Sequence, residues 1–586
     1  MTATTPIDAP GERLLTSDGG ARQGGADLWC TYAAIRTLTW LDAEPLDRAA
    51  AVAQLTGCQN SDGGFAWQKG LPSDVWATYY CTQAMRDLGV APDRLDELTR
   101  WLTGLQHADG GFAMTPGQAP DVWATYYATR TFSEVLALPV PRVGDVHRWL
   151  SRLQRADGGL GWYPGARASD TRACYYGAMA WRASLTDPDE PAPWRVAELE
   201  SWLLGRRQSD AGFVFDDSAD RSCLWATFRA VRALDALAIP QPRAEECLAW
   251  ITGRLLPGTG FARWNDYEVA DVWACFSAVG ALQTLGGDLS PKDRAQVVDF
   301  LHGCELPDGG FTYRRVDHAG DSLATSAALI TESLAGRGDE GRAGELADWL
   351  HRAHMPYEGG VMYMPGRGAE VRCTLWATSA TSAAGARPLD RDRLADWLGR
   401  LQNPDGGHGY WHGRASDMVA TVSALETLHQ LGHSLDEVLD TTATELFLTS
   451  CADGADYRYT PSGQVTAGST AQAARALWLL GRREEANKTA ARLVAFSSRI
   501  GGSSAQTRGL PDLATTYQVV LTRQTLGVAQ DPEDTARFLG RVRLAGGYAW
   551  SPLGQRSGGP LADCLGFVLD RYAASGGRIR LPSLNL

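Results

Sequence analysis

The sequence predicts an all-α protein of two tandem α/α toroids, about six helical hairpins each, over residues 1–287 and 288–586. Three observations predict it. Gly-Gly pairs or degenerate equivalents recur at Gly19, Gly63, Gly110, Gly158, Ala211, Thr259, Gly309, Gly359, Gly406, Gly454, Gly501 and Gly546, about 48 residues apart, a period that suits a helical hairpin. Between them, stretches with one apolar stripe alternate with stretches that are apolar or small almost all the way round. Twelve hairpins in one closed ring would leave a wide hole, so two rings of six pack more economically; an open superhelix with capping repeats is the alternative.

Each unit reads in the same order. Residues 92–106 (PDRLDELTRWLTGLQ) carry apolar residues at three- and four-residue spacing, the mark of a helix with one buried face. The helix stops at Asp-Gly-Gly, where glycine adopts the left-handed conformation that ends helices. A short aromatic loop follows, and an Asp then begins a second helix, as in DVWATYYATRTF from Asp121. Enclosed helices of this kind begin at Asp27, Asp74, Asp121, Asp170, Cys223 and Asp271, then near Asp321, Glu370, Asp417, Ser469, Asp512 and Leu561. An Asp one residue before a helix accepts first-turn N–H groups, so the recurrent Asp is read as a cap, and function is sought where the repeat breaks. The breaks gather in the second ring, which, or the cleft between rings, is expected to hold the chemistry.

Composition narrows the classes. At 586 residues, 44% hydrophobic and 21% charged, the chain suits a soluble globular protein with two cores. No apolar run reaches the roughly 20 residues that cross a bilayer, and residues 1–20 lack the basic start and apolar core of a secretory signal. A cytoplasmic location is the expectation. The formal charge of -13 opposes sequence-independent binding to nucleic acid. Eleven cysteines without a CxxC fit a reducing compartment.

QNSDGGFAW from Gln59, QRADGGLGW from Gln154 and QNPDGGHGYW from Gln402 resemble the QW motifs of squalene-hopene cyclases, within the terpenoid cyclase and prenyltransferase-repeat superfamily. The resemblance covers residues 18 to 560. Its two-ring members are class II terpene cyclases, and two rings favour that comparison over the single-ring prenyltransferase β subunits. Those β subunits hold zinc through an Asp-x-Cys and a His; here Asp170 with Cys174 and Asp271 with Cys275 stand four apart, and no His begins an inner helix. Class II cyclases carry Asp-x-Asp-Asp. On that pattern this chain has AspValTrpAlaThr at 74 and 121, and the same with Cys last at 271, so the central acids are missing, and if the chain is a protonating cyclase its acid has been relocated. No DDxxD segment suited to Mg²⁺ is present.

The resemblance implies metal-independent, acid-initiated cyclisation or rearrangement of a polyprenyl substrate, expected as a diphosphate, with no cofactor. A non-catalytic isoprenoid-binding or scaffold protein is the alternative from another class, and zinc-dependent prenyl transfer a third. The candidate acids are Asp321, Asp317 and Glu370, with His318 beside Asp317 to orient it. Loop cations Arg315, Arg367, Arg372 and Arg414 are candidates for phosphate contacts, because guanidinium forks match phosphate oxygens. Trp29, Trp76, Trp123, Trp225, Trp273 and Trp376 recur on inner helices and read first as a packing layer. Tyr363, Trp376 and Trp411 are chosen as a cavity wall that could steady a cation.

Overall fold

The computed structural model describes residues 16–586 except 18, 23–25, 68, 70, 167, 218, 220, 316, 317, 337–339, 355–358, 365–367, 413 and 554–558. The chain divides into two compact units: the first is Gly25–Val316, the second Met1–Gly24 with Asp317–Leu586. The junction expected at residue 287 falls inside the first unit, between its last two helices.

In the first unit the helices are α1 (Leu28–Trp40), α2 (Arg48–Thr56), α3 (Val75–Asp87), α4 (Leu95–Gly104), α5 (Val122–Arg130, continued by the π turn Thr131–Val135), α6 (Val143–Ser151), α7 (Thr171–Ser184), α8 (Val196–Gly205), α9 (Leu224–Ala236), α10 (Ala244–Thr252), α11 (Val272–Thr284) and α12 (Pro291–His302). The second unit holds α13 (Ser322–Ala335), α14 (Glu340–Arg352), α15 (Val371–Ala383), α16 (Arg391–Leu401), α17 (Met418–Gln430), α18 (Leu435–Val438), α19 (Thr441–Ser450), α20 (Ala467–Leu479), α21 (Arg483–Arg492), α22 (Leu513–Leu526), α23 (Pro532–Val542) and α24 (Gly559–Ala574). Two short antiparallel strand pairs, Ala452–Asp453 with Asp456–Tyr457 and Arg543–Leu544 with Gly547–Tyr548, stand in for the turn in two repeats.

Amphipathicity sorts the helices. Every residue of α3 from Val75 to Met85 is buried, whereas only Leu98 and Leu102 are buried in α4. The enclosed helices pack in cyclic order: α1 on α3, then α5, α7, α9 and α11, with α11 back on α1. In the second unit the order is α13, α15, α17, α20, α22 and α24, and α24 returns to α13.

Each motif residue has a mechanical task. Asp74 caps α3 through Oδ1, which accepts from Ala77 N–H at 2.7 Å, while Oδ2 accepts from Trp67 Nε1 at 2.5 Å. Four residues on, Thr78 Oγ1 accepts the N–H of Phe65 from the loop at 3.0 Å. Asp62 Oδ1 accepts from Gly64 N–H and Ser73 Oγ. Gln59 Nε2 donates to the Gly63 carbonyl, and its Oε1 accepts from Asp93 N–H ahead of α4. Gly63 sits at φ +89°, and a Cβ there would lie 2.1 Å from Leu98 N, so only glycine lets α4 seat on the turn. The helix expected to begin at Ser469 begins at Ala467, because Thr466 caps it reciprocally with Ser469.

The last loop of the first unit docks on its first helix. Phe311 N–H donates to Thr31 Oγ1 at 3.0 Å, Asp27 N–H donates to the Phe311 carbonyl at 3.1 Å, and Glu305 accepts from Leu46 and Asp47 N–H. This closure is why α12 belongs to the first unit. The loop at Gly19–Gly20 serves the second unit: Ala21 N–H donates to Thr325 Oγ1 at 3.0 Å, and Asp321 N–H to the Ala21 carbonyl at 2.7 Å.

Candidate functional site

The residues singled out from the sequence fall into separate places. Asp321 is buried at the head of α13, where Oδ1 accepts from Ala324 N–H at 2.8 Å. Glu370 caps α15: one oxygen accepts from Arg372 N–H, and the other from Cys373 Sγ at 2.6 Å. Arg372 lies 3.5 Å from Glu370 and 5.7 Å from the Tyr410 ring; burial works against its charge, but Glu370 outweighs it and its pKa is raised. His318 Nε2 is 3.2 Å from Ser17 Oγ, at an exposed spot. Arg315 is exposed, 4.0 Å from Asp299. Arg414 stacks over Trp411 at 5.8 Å. The Tyr363 carbonyl accepts from Ser322 N–H, and its partly buried ring packs on the second-unit core. Trp376 is fully buried, its Nε1 donating to the Asn585 carbonyl at 2.8 Å. Asp317 and Arg367 lie outside the described residues.

The structure therefore brings Glu370, Arg372 and Tyr410 together, and Arg414 beside Trp411, while Trp376 lies in the packed interior. Cys174 and Cys275 take the task of Thr78: each Sγ accepts a loop N–H at 3.3 Å, from Leu160 and from Phe261. Among the described residues no three His, Cys, Asp or Glu cluster as a metal site.

A denser constellation lies inside the first unit, drawn from the second, fifth, sixth and ninth residues after the caps. Trp29 stacks on Trp273 at 4.4 Å and meets Trp225 at 5.9 Å; Trp76 meets Trp123 at 4.6 Å. One turn on, Tyr32 stacks on Tyr80 at 4.2 Å, and Tyr80 reaches Trp273 at 6.2 Å. The pairs α1–α9 and α3–α11 are not neighbours in the cyclic order, so these rings point at the centre. Tyr126 and Tyr175 share a hydrogen bond of 2.9 Å, and Tyr127 Oη donates to Tyr80 Oη at 3.2 Å. Each of the six helices carries a ring with slight exposure, among them Trp29, Trp76, Trp123, Tyr176, Phe228 and Trp273 at 3–7%, and Trp225 is half-buried, whereas Thr31, Thr78, Thr125 and Thr227 on the far faces keep 0%. The little surface this interior exposes is aromatic.

Charge is placed sparingly within it. Arg130 pairs with Glu134 at 2.6 Å and stands 4.9 Å from the Tyr79 ring. Arg229 is buried with its guanidinium 4.5 Å from Trp225 and 5.8 Å from Tyr176. It donates to the Trp225 carbonyl and to Tyr176 Oη, its Nε has no partner, and no carboxylate neutralises it among the described residues. Burial pushes the hydroxyls of Tyr79, Tyr80, Tyr126 and Tyr127 well up, so they stay neutral.

At the head of α11, Asp271 is buried, with Oδ1 accepting from Ala274 N–H at 2.8 Å and Oδ2 without a partner. Burial raises its pKa to about 6, against the pull of its helix N–H groups, Arg263 and Arg314. Both Asp271 and the inward tyrosines were present in the repeat, and their signal was register: YY falls at the fifth and sixth residues of α3, α5 and α7.

Among solved structures, the chain is similar to ent-copalyl diphosphate synthase from Streptomyces platensis (16% identity, 82% of this chain and 99% of that one, TM-score 0.33). It is also similar to the type II terpene cyclase MstE from Scytonema (12%, 46% and 92%, TM-score 0.34) and to cellobiose 2-epimerase from Spirochaeta thermophila (13%, 44% and 86%, TM-score 0.32). Identities this low say nothing of substrate or reaction. No curated protein matches. No helix among the described residues is long and apolar enough to cross a membrane. The sequence profile of the prenyltransferase alpha-alpha toroid domain matches residues 12–74, 69–216, 215–397 and 370–534, and the chain belongs to that family.

Proposed function

We propose that the chain forms two successive toroids of six hairpins and is an isoprenoid-converting enzyme that starts cyclisation or rearrangement by protonation, without a metal. The observation that carries this reading is the aromatic interior of the first unit. Indole and phenol faces steady a carbocation in a place with little water. In this reading the Asp271 carboxylic acid donates its Oδ2 proton to an alkene carbon, a C–H bond forms, and the cation migrates or closes a ring. Loss of a proton to the Asp271 carboxylate then restores the acid. Arg229, buried without a counterion among the described residues, suits an acidic group on the substrate, since an uncompensated buried charge is costly until an anion arrives. Asp321 and Glu370 read as caps whose oxygens are already engaged.

One observation favours the non-catalytic alternative: Trp76, Trp123 and Trp273 stand where a protonating cyclase would carry acids, so the rings could bind an isoprenoid without converting it.

The test is incubation with farnesyl diphosphate, geranylgeranyl diphosphate and squalene in EDTA, with mass spectrometry of products and tryptophan fluorescence for binding. A cyclised product is expected, lost about 100-fold or more in Asp271→Asn with binding kept. Turnover should fall as pH rises through about 6, where Asp271 ionises. Arg229→Gln should weaken a diphosphate but not its alcohol. Quenching without product would select the binding reading; neither quenching nor product would sink both.

A further inference from the structure

The segment that follows α24 runs back between the enclosed helices of the second unit. It has no regular secondary structure, yet Leu581 is nearly buried and Leu584 and Asn585 are wholly so. Its main chain is read carbonyl by carbonyl. Tyr517 Oη donates to Pro582 at 2.7 Å, Ser379 Oγ to Ser583 at 2.8 Å, Gln518 Nε2 to Leu584 at 2.6 Å and Trp376 Nε1 to Asn585 at 2.8 Å. The donors come alternately from α22 and α15, matching the alternation of carbonyls along an extended chain. At the start of the segment, Gln524 Nε2 donates to the Ile579 carbonyl, and its Oε1 accepts from Leu581 N–H, both at 2.8 Å.

The Asn585 side chain is read separately. Its Oδ1 accepts from Arg475 Nη2 at 2.7 Å, and its Nδ2 donates to Glu426 Oε2 and Ser423 Oγ, each at 3.1 Å. Arg475 and Glu426 are themselves buried and paired at 2.5 Å. A core filled for packing alone would meet this segment with apolar side chains. Here eight hydrogen-bonding side chains on four helices meet it, and among the described residues Tyr517 Oη and Trp376 Nε1 have no other acceptor, so an empty site would leave buried donors unsatisfied.

We propose that the interior of the second unit is a peptide-recognition site, filled by residues 579–586, whose ligand class is an extended peptide bearing Leu-Asn-Leu. The main-chain contacts supply affinity, and the Arg475, Glu426 and Ser423 cluster selects asparagine. The site is separable from the chain that fills it: the same peptide offered in trans occupies it when the chain's own segment is missing or weakened.

The experiment uses a labelled nonapeptide of sequence RIRLPSLNL and three proteins: the full chain, the full chain with Asn585→Asp, and a chain ending at Gly577. Asp at 585 loses its donor and faces Glu426, so the segment is weakened without shortening the chain. The full chain should not raise the anisotropy of the peptide, because its site is occupied. Asn585→Asp should bind it, and so should the shortened chain, whose Tm should fall by several degrees and recover on adding the peptide. A peptide with Ala for Asn should fail. The proposal is overturned if neither variant binds the peptide, or if the shortened chain melts with the full chain. A shortened chain that does not fold leaves the Asn585→Asp result to decide.

Discussion

His408 occupies the loop position that Phe65, Phe112, Phe213, Phe261 and Phe311 fill in other repeats. It is fully buried, Nε2 donates to the Leu398 carbonyl at 3.2 Å, and Nδ1 has no partner. Burial pushes its pKa down to about 4. A pKa depressed by folding adds stability above the unfolded value near 6.5, and that stability is lost as pH falls toward about 4. His408→Phe restores the repeat residue and removes an unsatisfied buried nitrogen, so it should stabilise the protein by about 1 kcal/mol at pH 7. At pH 5 the gap should widen by about 2 kcal/mol. Urea unfolding at both pH values checks this; equal acid sensitivity of the two proteins would refute it. Asp271 and His408 carry the same lesson at this scale: a residue is informative when its buried polar atom lacks a partner, and sequence does not reveal partners. Asp271 reads as one more cap among eight.

At the scale of elements, the hairpin is held by a turn that only glycine tolerates and by side chains that join loop to helix. Gly63→Ala would press a Cβ against Leu98 N at a φ of +89°, costing more than about 3 kcal/mol. Gly104→Ala, at the end of α4 with nothing within 4 Å, should be neutral or gain up to about 1 kcal/mol. Thermal melts of the two variants test the assignment, and similar losses would argue against it. Much of this was legible: the Asp caps at 74, 121, 271, 321 and 417 follow from dipoles and orphan N–H groups. The role of Cys174 and Cys275 was not. Their four-residue spacing from Asp170 and Asp271 argues against a zinc pair and assigns them no other task, whereas the loop N–H groups they accept come from residues 14 positions earlier.

At the scale of the molecule, two terminal segments complete the second unit. The loop at Gly19–Gly20 packs against Trp349 and bonds to Thr325. Repeat order alone would assign that loop to Thr31, the next such threonine along the chain, yet Thr31 takes the loop of Phe311. Deleting residues 1–22 should therefore speed amide exchange in α13 and α14 and leave α1 and α2 protected. Exchange measured by mass spectrometry decides, and faster exchange in α1 and α2 alone would contradict the assignment.

The sequence by itself determined the repeat, the alternation of enclosed and amphipathic helices, their caps and their glycine turns. These are local in the chain, set by helical period and by the needs of unpaired backbone groups within a turn or two. Only the tertiary structure decided which loop docks on which helix and what fills each interior: aromatic rings in the first unit, residues 579–586 in the second. Those choices rest on contacts such as Phe311 to Thr31 and Ala21 to Thr325, 280 and 304 residues apart. Their partners are interchangeable by repeat pattern, and closure of each circle of helices selects between them.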